Sequence, residues 1–406
     1  MGLSLFGYIK NLEIIIMKLK ITTFLVVVFA LMVCCNSITK EEKFFYPGQE
    51  WLDDNGVHIN AHGGGFLFHD NKYFWYGEHK VEGEIGNTAQ VGVHLYTSEN
   101  LYDWKDEGIV LAVNEKDPSS DIYKGCIIER PKVIFNKKTK KFVMWFHLEP
   151  VPTGESNNAY GSAKSGIAYS DSPYGPFEYI QSVRPNAGVW PLNVQDFHKK
   201  EVSSEVKSIY GGGPEHLPKH VDSLNILGRD FQKGQMARDM TLFVDDNDIA
   251  YHIYSSEDNS TLHISQLSED YLSHSGKYKR FFPSKFNEAP AIMKTSAGKY
   301  YIIASGCTGW SPNPARSAVS DNIFGPWKEL GNPCTSKDSL TTYYSQSTYI
   351  LPVQGKKDAF IFMADRWKPD NPIDGRYVWL PIKIIDDQLV RLEWNDKWNL
   401  DIFDKN

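Results

Sequence analysis

Five segments of this sequence begin with Gly63, Glu129, Asp239, Glu288 and Gln346, and each leads into an apolar run with the character of a strand. Three carboxylates and one amide therefore recur at matched places far apart in the chain. A single Asp or Glu ahead of a strand is usually a solvated turn residue. Three at equivalent positions point to a shared purpose. Carboxylates brought together raise at least one pKa, because the two charges repel. A carboxyl kept protonated near neutral pH is a general acid. Cleavage of a glycosidic bond needs such an acid on the leaving oxygen, and an inverting reaction also needs a base roughly 6.5 to 9.5 Å away to activate water.

The elements that must position these residues repeat. Gly63–Tyr76, Glu129–Phe146, Asp239–Tyr254, Glu288–Ser305 and Gln346–Ala364 each read as a strand, a polar hairpin turn and a second strand. Ser170-Asp171 then leads to Gly175-Pro176-Phe177, and Ser320-Asp321 to Gly325-Pro326-Trp327, with a variant over Thr97–Trp104. These read as a third strand, a turn and a fourth. A four-stranded unit recurring at intervals of roughly 50 to 65 residues predicts an all-β, five-bladed β-propeller. In that fold the first strand of each blade lines the central channel, so the five leading residues would meet at one mouth. The long interval Gln181–Gly234 carries Gly211-Gly212-Gly213-Pro214 and reads as a loop laid over one face, where binding sites are commonly shaped.

Composition narrows the partners. The chain has 406 residues, 41% hydrophobic and 23% charged, with net charge -7 and no basic cluster, so nucleic acid is not expected. Aromatics reach 14%, which suits strands and also suits stacking on the C–H faces of sugars. Met17-Lys18-Leu19-Lys20 followed by the apolar Ile21–Val33 reads as an export signal, too short to span a bilayer comfortably. It ends at Cys34-Cys35, similar to a bacterial lipoprotein cleavage site with either cysteine lipidated. Residues 1–36 are read as extension plus signal, 37–50 as a tether and 51–406 as the propeller. The expected location is periplasmic or on the outer membrane or cell surface, with membrane contact only through the lipid. Cys126, Cys307 and Cys334 match no metal motif and suggest no disulfide framework. No cofactor is required by this reading, no metal ligand set is assigned, and a structural calcium ion on the channel axis is left open. A monomer is expected.

Five motifs in order carry a family resemblance: Ala61-His62-Gly63-Gly64-Gly65, Trp75-Tyr76-Gly77-Glu78, Glu129-Arg130-Pro131-Lys132-Val133, Arg238-Asp239-Met240-Thr241-Leu242-Phe243-Val244-Asp245-Asp246 and Glu288-Ala289-Pro290-Ala291. Together they resemble glycoside hydrolase family 43, and within it the exo-β-1,3-galactanase branch, subfamily 24, over roughly residues 45 to 403. The resemblance implies a five-bladed propeller and inversion. Most members place an Asp base at the head of blade one, where the turns here align Gly63, leaving room in the channel. The branch implicates a glutamine of the last blade as an unusual base, through its imidic acid form, and Gln346 takes that place. Glu288 matches the general acid, Asp239 the carboxylate that tunes it and Glu129 a substrate-binding carboxylate. His62, Gly63, Gly64, Glu78 and Arg130 are expected to bind substrate, together with Tyr123, Trp310, Tyr344 and Trp367 at the mouth. Trp75 and Trp190 are further candidates for sugar platforms, Trp75 with core packing as its alternative.

The implied substrate is plant-type arabinogalactan or a galacto-oligosaccharide, cut from the chain end to release galactose or short galactosyl products. Two other readings are open: an arabinofuranosidase or xylosidase of the same family, and a propeller that binds glycans without cleaving them. The loss of the blade-one Asp argues against the first. Retention of Glu288, Asp239 and Glu129 argues against the second. His62-Gly63-Gly64-Gly65 is similar to an esterase oxyanion-hole motif, but that reading needs a Gly-x-Ser-x-Gly elbow, which the sequence lacks.

Overall fold

A computed structural model of the chain describes residues 3–34, 42–152, 160–202, 206, 224–386 and 388–405. The chain divides into Met1–Lys43 and Phe44–Asn406. The first unit carries helix α1 (Leu3–Cys34). Among the described residues no helix is long and apolar enough to cross a membrane. Cys35, residues 37–41 of the expected tether and Gly211–Pro214 lie outside the described residues. The second unit starts at Phe44, ahead of the expected boundary at Trp51, because Phe45 is buried among Tyr102, Trp379 and Trp398.

Twenty strands form five antiparallel sheets of four consecutive strands each. Blade one is β1 (His62–His69), β2 (Lys72–Glu78), β3 (Gly92–Ser98) and β4 (Lys105–Ala112). Blade two is β5 (Ile127–Asn136), β6 (Lys141–Glu149), β7 (Lys164–Ser170) and β8 (Glu178–Val183). A four-residue helix, α2 (Ile226–Arg229), sits in the interval that follows. Blade three is β9 (Met240–Val244), β10 (Ala250–Ser256), β11 (Thr261–Leu267) and β12 (His274–Phe281). Blade four is β13 (Asn287–Lys294), β14 (Tyr300–Gly306), β15 (Arg316–Ser320) and β16 (Lys328–Gly331). Blade five is β17 (Gln346–Pro352), β18 (Phe360–Arg366), β19 (Arg376–Ile385) and β20 (Leu389–Leu392). The expected propeller is what the chain forms.

The second strand of each blade is apolar on both faces because both are covered by neighbouring blades; β10 and β14 are buried along their whole length. Outer strands such as β8 and β16 carry Glu, Gln and Lys towards solvent, which blunts an exposed edge. Five apolar clusters fill the five gaps between blades. At the gap between blades five and one no strand among the described residues is exchanged to close the ring. Instead Phe45 N donates to Trp398 O at 2.8 Å and Trp398 N to Phe45 O at 3.1 Å. Trp75, Trp104, Tyr377 and Trp379 pack edge-on and tilted behind them. The Tyr377 hydroxyl accepts from Ala61 N and donates to Ile59 O, and the Tyr349 hydroxyl donates to Phe66 O, so side chains do the joining that a shared strand would otherwise do.

A one-residue bulge sits near the start of four inner strands, between His62 and Gly65, Glu129 and Lys132, Glu288 and Ala291, and Ser347 and Tyr349. A bulge re-aims the side chain next to it. The register pairs His62 with Glu78, Glu129 with His147, Glu288 with Ser305 and Gln346 with Asp365. By this pairing His62, not Gly63, is the counterpart of Glu129, Glu288 and Gln346. Gly63 (φ 59) matches the left-handed residues one step on, Arg130 (φ 54) and Ala289 (φ 50). Counting back from hairpin turns of unequal length slips by that one residue.

Candidate active site

Glu129, Asp239, Glu288 and Gln346 meet in one cavity of about 410 Å³, shared with Glu78, Lys80, Asn87, Thr88, Ile127, Arg130, Tyr160, Gly309, Trp310 and Trp367. Its volume lies within the range usual for small-ligand sites, about 300–1,000 Å³. Four blades thus contribute the inner-strand residues that the repeat pattern singled out, and blade one contributes Glu78 from its second strand.

Arg130 is the hub. Its Nε lies 2.7 Å from Asp239 Oδ1, one terminal nitrogen donates to Gln346 Oε1 at 2.7 Å and the other to Ser347 O at 3.0 Å. The guanidinium stands 5.8 Å from the Trp367 ring centre. Its left-handed backbone turns its own N–H onto Glu78 Oε1 at 2.8 Å. Glu78 Oε2 is held by Lys80 Nζ at 2.6 Å.

Gly63 does not leave room. A Cβ there would stand 2.0 Å from Glu78 Oε1, so the carboxylate of the second strand already fills that space. Gly63 N donates to Asp365 Oδ2 at 2.5 Å, and its carbonyl accepts from Lys132 Nζ at 2.9 Å. Burial pushes the Asp365 carboxyl up to about 7 against the Gly63 bond, and burial with the nearby Arg130 charge holds the Lys132 ammonium down at about 7.

Glu288 has the perturbation of a general acid. Burial, and after it the negative charge of Asp239, push its carboxyl up to about 7. Asp239 is held between Arg130 and Ala289 N, which donates to its Oδ2 at 3.1 Å. Glu129 shows the opposite. Burial works to raise it, but the hydrogen bond and charge of His147, the charge of Lys80 and the Tyr160 hydroxyl hold it down at about 2. His147 Nδ1 is 2.8 Å from Glu129 Oε2 and its Nε2 is 3.0 Å from Glu149 Oε1. Burial opposes its charge, yet the two carboxylates raise it to about 10, so the imidazolium is the resident form. Glu129, His147 and Asp239 bring ligand atoms within 4.8 Å of one another, but an imidazolium bonded at both nitrogens and an aspartate paired to Arg130 do not form a calcium site.

Gln346 is fixed in one orientation. Oε1 accepts from Arg130 and from Trp367 Nε1 at 2.9 Å, while Nε2 donates to Ser305 Oγ at 2.9 Å. A flipped amide would set N–H against N–H. Two donor-only partners on Oε1 also leave no direction for a hydroxyl hydrogen there.

Trp310, 48% exposed, meets Trp367 edge-on at 6.1 Å on the cavity rim, as expected of mouth residues. Other expected residues lie elsewhere. His62 is fully buried, stacked 5.3 Å from Tyr377, and burial holds it well below the usual histidine range, so it is a neutral packing residue. A Cβ at Gly64 would meet Tyr76 O and the Trp75 ring nitrogen, which makes it a close-packing position. Trp75 is core. Tyr123 and Tyr344 do not line the cavity; Tyr344 is exposed with its hydroxyl 3.3 Å from Asp338. Trp190 stacks on Phe231, also away from the cavity.

Lys80, Tyr160, His147, Asp365 and Ser305 were not singled out from sequence. Three of them had a signal. The last residues of each second strand stand directly across from the leading residues of the first, so extending the repeat alignment by one strand marks His147, Ser305 and Asp365 together with Glu78.

No family model and no curated protein matches the chain. Solved structures do. A family 43 β-1,3-galactosidase determined with galactodeoxynojirimycin is 49% identical, over 88% of this chain and 100% of the other, with TM-score 0.80. The chain belongs to glycoside hydrolase family 43. It is accordingly a glycosidase, acting on O-glycosyl bonds. A second family 43 β-1,3-galactosidase is 33% identical over 90% of this chain and 65% of its own, with TM-score 0.72. An exo-β-1,3-galactanase from Clostridium thermocellum is 34% identical over 88% and 66%, with TM-score 0.69. The family 43 chain described here thus spans about two thirds of the length of those two.

Proposed function

We propose that this glycosidase removes terminal galactose from β-1,3-linked galactan, the backbone of arabinogalactans, with inversion at the anomeric carbon. The observation that carries the reading is Glu288, a buried carboxyl raised to about 7 beside Asp239, in a cavity that also presents the amide of Gln346. Similarity to β-1,3-galactosidases and an exo-β-1,3-galactanase supports the sugar and the linkage. In this reading Glu288 gives its proton to the leaving oxygen, Asp239 keeps that proton in place until then, and Glu129 and Glu78 accept hydrogen bonds from sugar hydroxyls.

Water is activated at Gln346. An amide is a poor base, and the two donors on Oε1 favour the imidate over an oxygen-protonated imidic acid. When Nε2 releases one proton to solvent, Oε1 carries the charge against Arg130 and Trp367 N–H, and the released proton balances the one that Glu288 spends on the leaving oxygen and takes back from solvent. The Nε2 lone pair then takes the proton of the attacking water and restores the amide. Trp310 and Trp367 offer ring faces to the sugar. We also infer that residues 1–36 direct export and that Cys34 or Cys35 carries a lipid, which mass spectrometry of the membrane-extracted protein would test.

The test is product analysis on β-1,3-galactobiose and arabinogalactan, with the anomer of the first product read by NMR. Wild type should release α-galactose, and Glu288→Gln and Gln346→Ala should lose more than about 100-fold in kcat. Cleavage of arabinosides or xylosides with galactan left intact would overturn the specificity. Binding without cleavage would make the protein a lectin.

A further inference from the structure

The carboxyl of Glu288 has two protein partners, and both land on the same oxygen. Asn259 Nδ2 donates to Oε1 at 3.0 Å and the Cys307 thiol donates to Oε1 at 3.0 Å. Oε2 has no protein partner among the described residues. Neither donor comes from an inner strand. Asn259 stands in the β10–β11 turn of blade three, and Cys307 follows β14 of blade four.

The turn that delivers Asn259 is strained. Glu257, Asp258 and Asn259 are consecutive left-handed residues, with φ 53, 55 and 68, and all are buried. Such a run persists only where its surroundings impose it. Here Arg280 grips both oxygens of Glu257, and Arg229, at the end of α2, grips both oxygens of Asp258. Cys307 is buried under Val206, Ile226 and Phe286. The interval between blades two and three therefore braces both donors through Arg229 on one side and Val206 with Ile226 on the other.

We propose that Asn259 and Cys307 are positioning residues for Glu288, fixing Oε1 as the acceptor so that Oε2 carries the proton to the leaving oxygen. The inference rests on Glu288 being the acid. Two donors on Oε1 are incompatible with a hydrogen there, so the neutral acid has its proton on Oε2. The same donors strengthen when the carboxyl ionises. The Cys307 bond opposes burial and Asp239, alongside the charges of Arg130 and Arg238. Losing either donor should move the acid's titration upward while loosening its aim.

The experiment is the pH profile of kcat/KM on β-1,3-galactobiose for wild type, Cys307→Ala, Cys307→Ser and Asn259→Ala, with Glu288→Gln as reference. Expected are an alkaline limb displaced upward in Cys307→Ala and Asn259→Ala, kcat lowered about 3- to 10-fold on the acid side with KM little changed, and recovery in Cys307→Ser, which keeps a donor. A limb that stays in place, or Ser behaving like Ala, overturns the proposal. A second readout needs no variant of either donor. The infrared S–H stretch of Cys307 should shift as Glu288 ionises, in step with the alkaline limb, and stay constant in Glu288→Gln; a band that ignores pH across the limb also overturns it. Full activity in Glu288→Gln would instead strike the assignment of the acid.

Discussion

Replacing Gly63 with alanine should be costly for a reason that can be isolated. The backbone there is left-handed, φ 59, which costs an L-residue about 1–2 kcal/mol. The new methyl would also stand 2.0 Å from Glu78 Oε1 and force the carboxylate to move. That breaks the bond from Arg130 N and strains the pair with Lys80, and hydrogen bonds to charged groups are worth about 1.5–3 kcal/mol each. Displacement adds about 2–4 kcal/mol, for a total of roughly 3–6. With an unfolding entropy near 2.1 cal/mol/K per residue, the midpoint for the Phe44–Asn406 unit should fall by roughly 4 to 8 °C. The control is Glu78→Ala, which removes the obstacle. In that background Gly63→Ala should cost only the backbone share, about 1–2 kcal/mol. Thermal or denaturant unfolding of the four proteins closes a double-mutant cycle with a coupling of about 2–4 kcal/mol. Equal costs in both backgrounds would refute the view that Glu78 occupies the space of the missing side chain.

Three further outcomes are expected. The rate on β-1,3-galactobiose should fall tenfold per pH unit above about 7, as Glu288 loses the proton it must donate; a pH–rate profile with its alkaline limb below about pH 6 contradicts the assignment. His147→Ala should destabilise by about 3–5 kcal/mol, since it leaves two buried carboxylates without their cation. His147 is raised to about 10 and Glu129 lowered to about 2, so their contribution is complete between about pH 4.5 and 6.5. The melting-point difference from wild type should be widest in that window, shrinking as pH climbs towards 10 or drops towards 2. Trp367→Phe keeps the ring but removes the bond to Gln346 Oε1, and kcat should drop roughly 5- to 10-fold in steady-state assays, against at most a small rise in KM.

The propeller and most of the cavity were legible because they depend on repetition. Strand, polar turn and strand recur at matched intervals, and the residues heading four of the copies converge. What stayed hidden depends on register and on distance. The slip between His62 and Gly63 comes from a bulge, and a bulge leaves no compositional trace when the residues around it are glycines. His147 and Asp365 look like ordinary strand residues until the ladder sets them opposite Glu129 and Gln346. Trp190 and Trp310 both lie outside the repeated strands, and only the fold stacks the first on Phe231 and sets the second on the cavity rim. Asn259 and Cys307 lie 29 and 19 positions from Glu288, in segments without repeat character, so nothing short of the folded chain brings them to it.

The join between blades five and one has a consequence for how the enzyme becomes competent. Each blade is a continuous piece of chain, yet the cavity draws on all five. Gln346, Trp367 and Asp365 all belong to the fifth, and their partners Arg130 and Gly63 wait on blades two and one. Without blade five the cavity would keep Glu288 but lose Gln346 and Trp367, and Arg130 would lose its acceptors on Gln346 and Ser347. The site is complete only with the circle shut, where Trp398 pairs with Phe45. Anything that loosens that clasp, however far from the sugar, acts on turnover by subtracting whole active molecules and leaves those still closed at full speed.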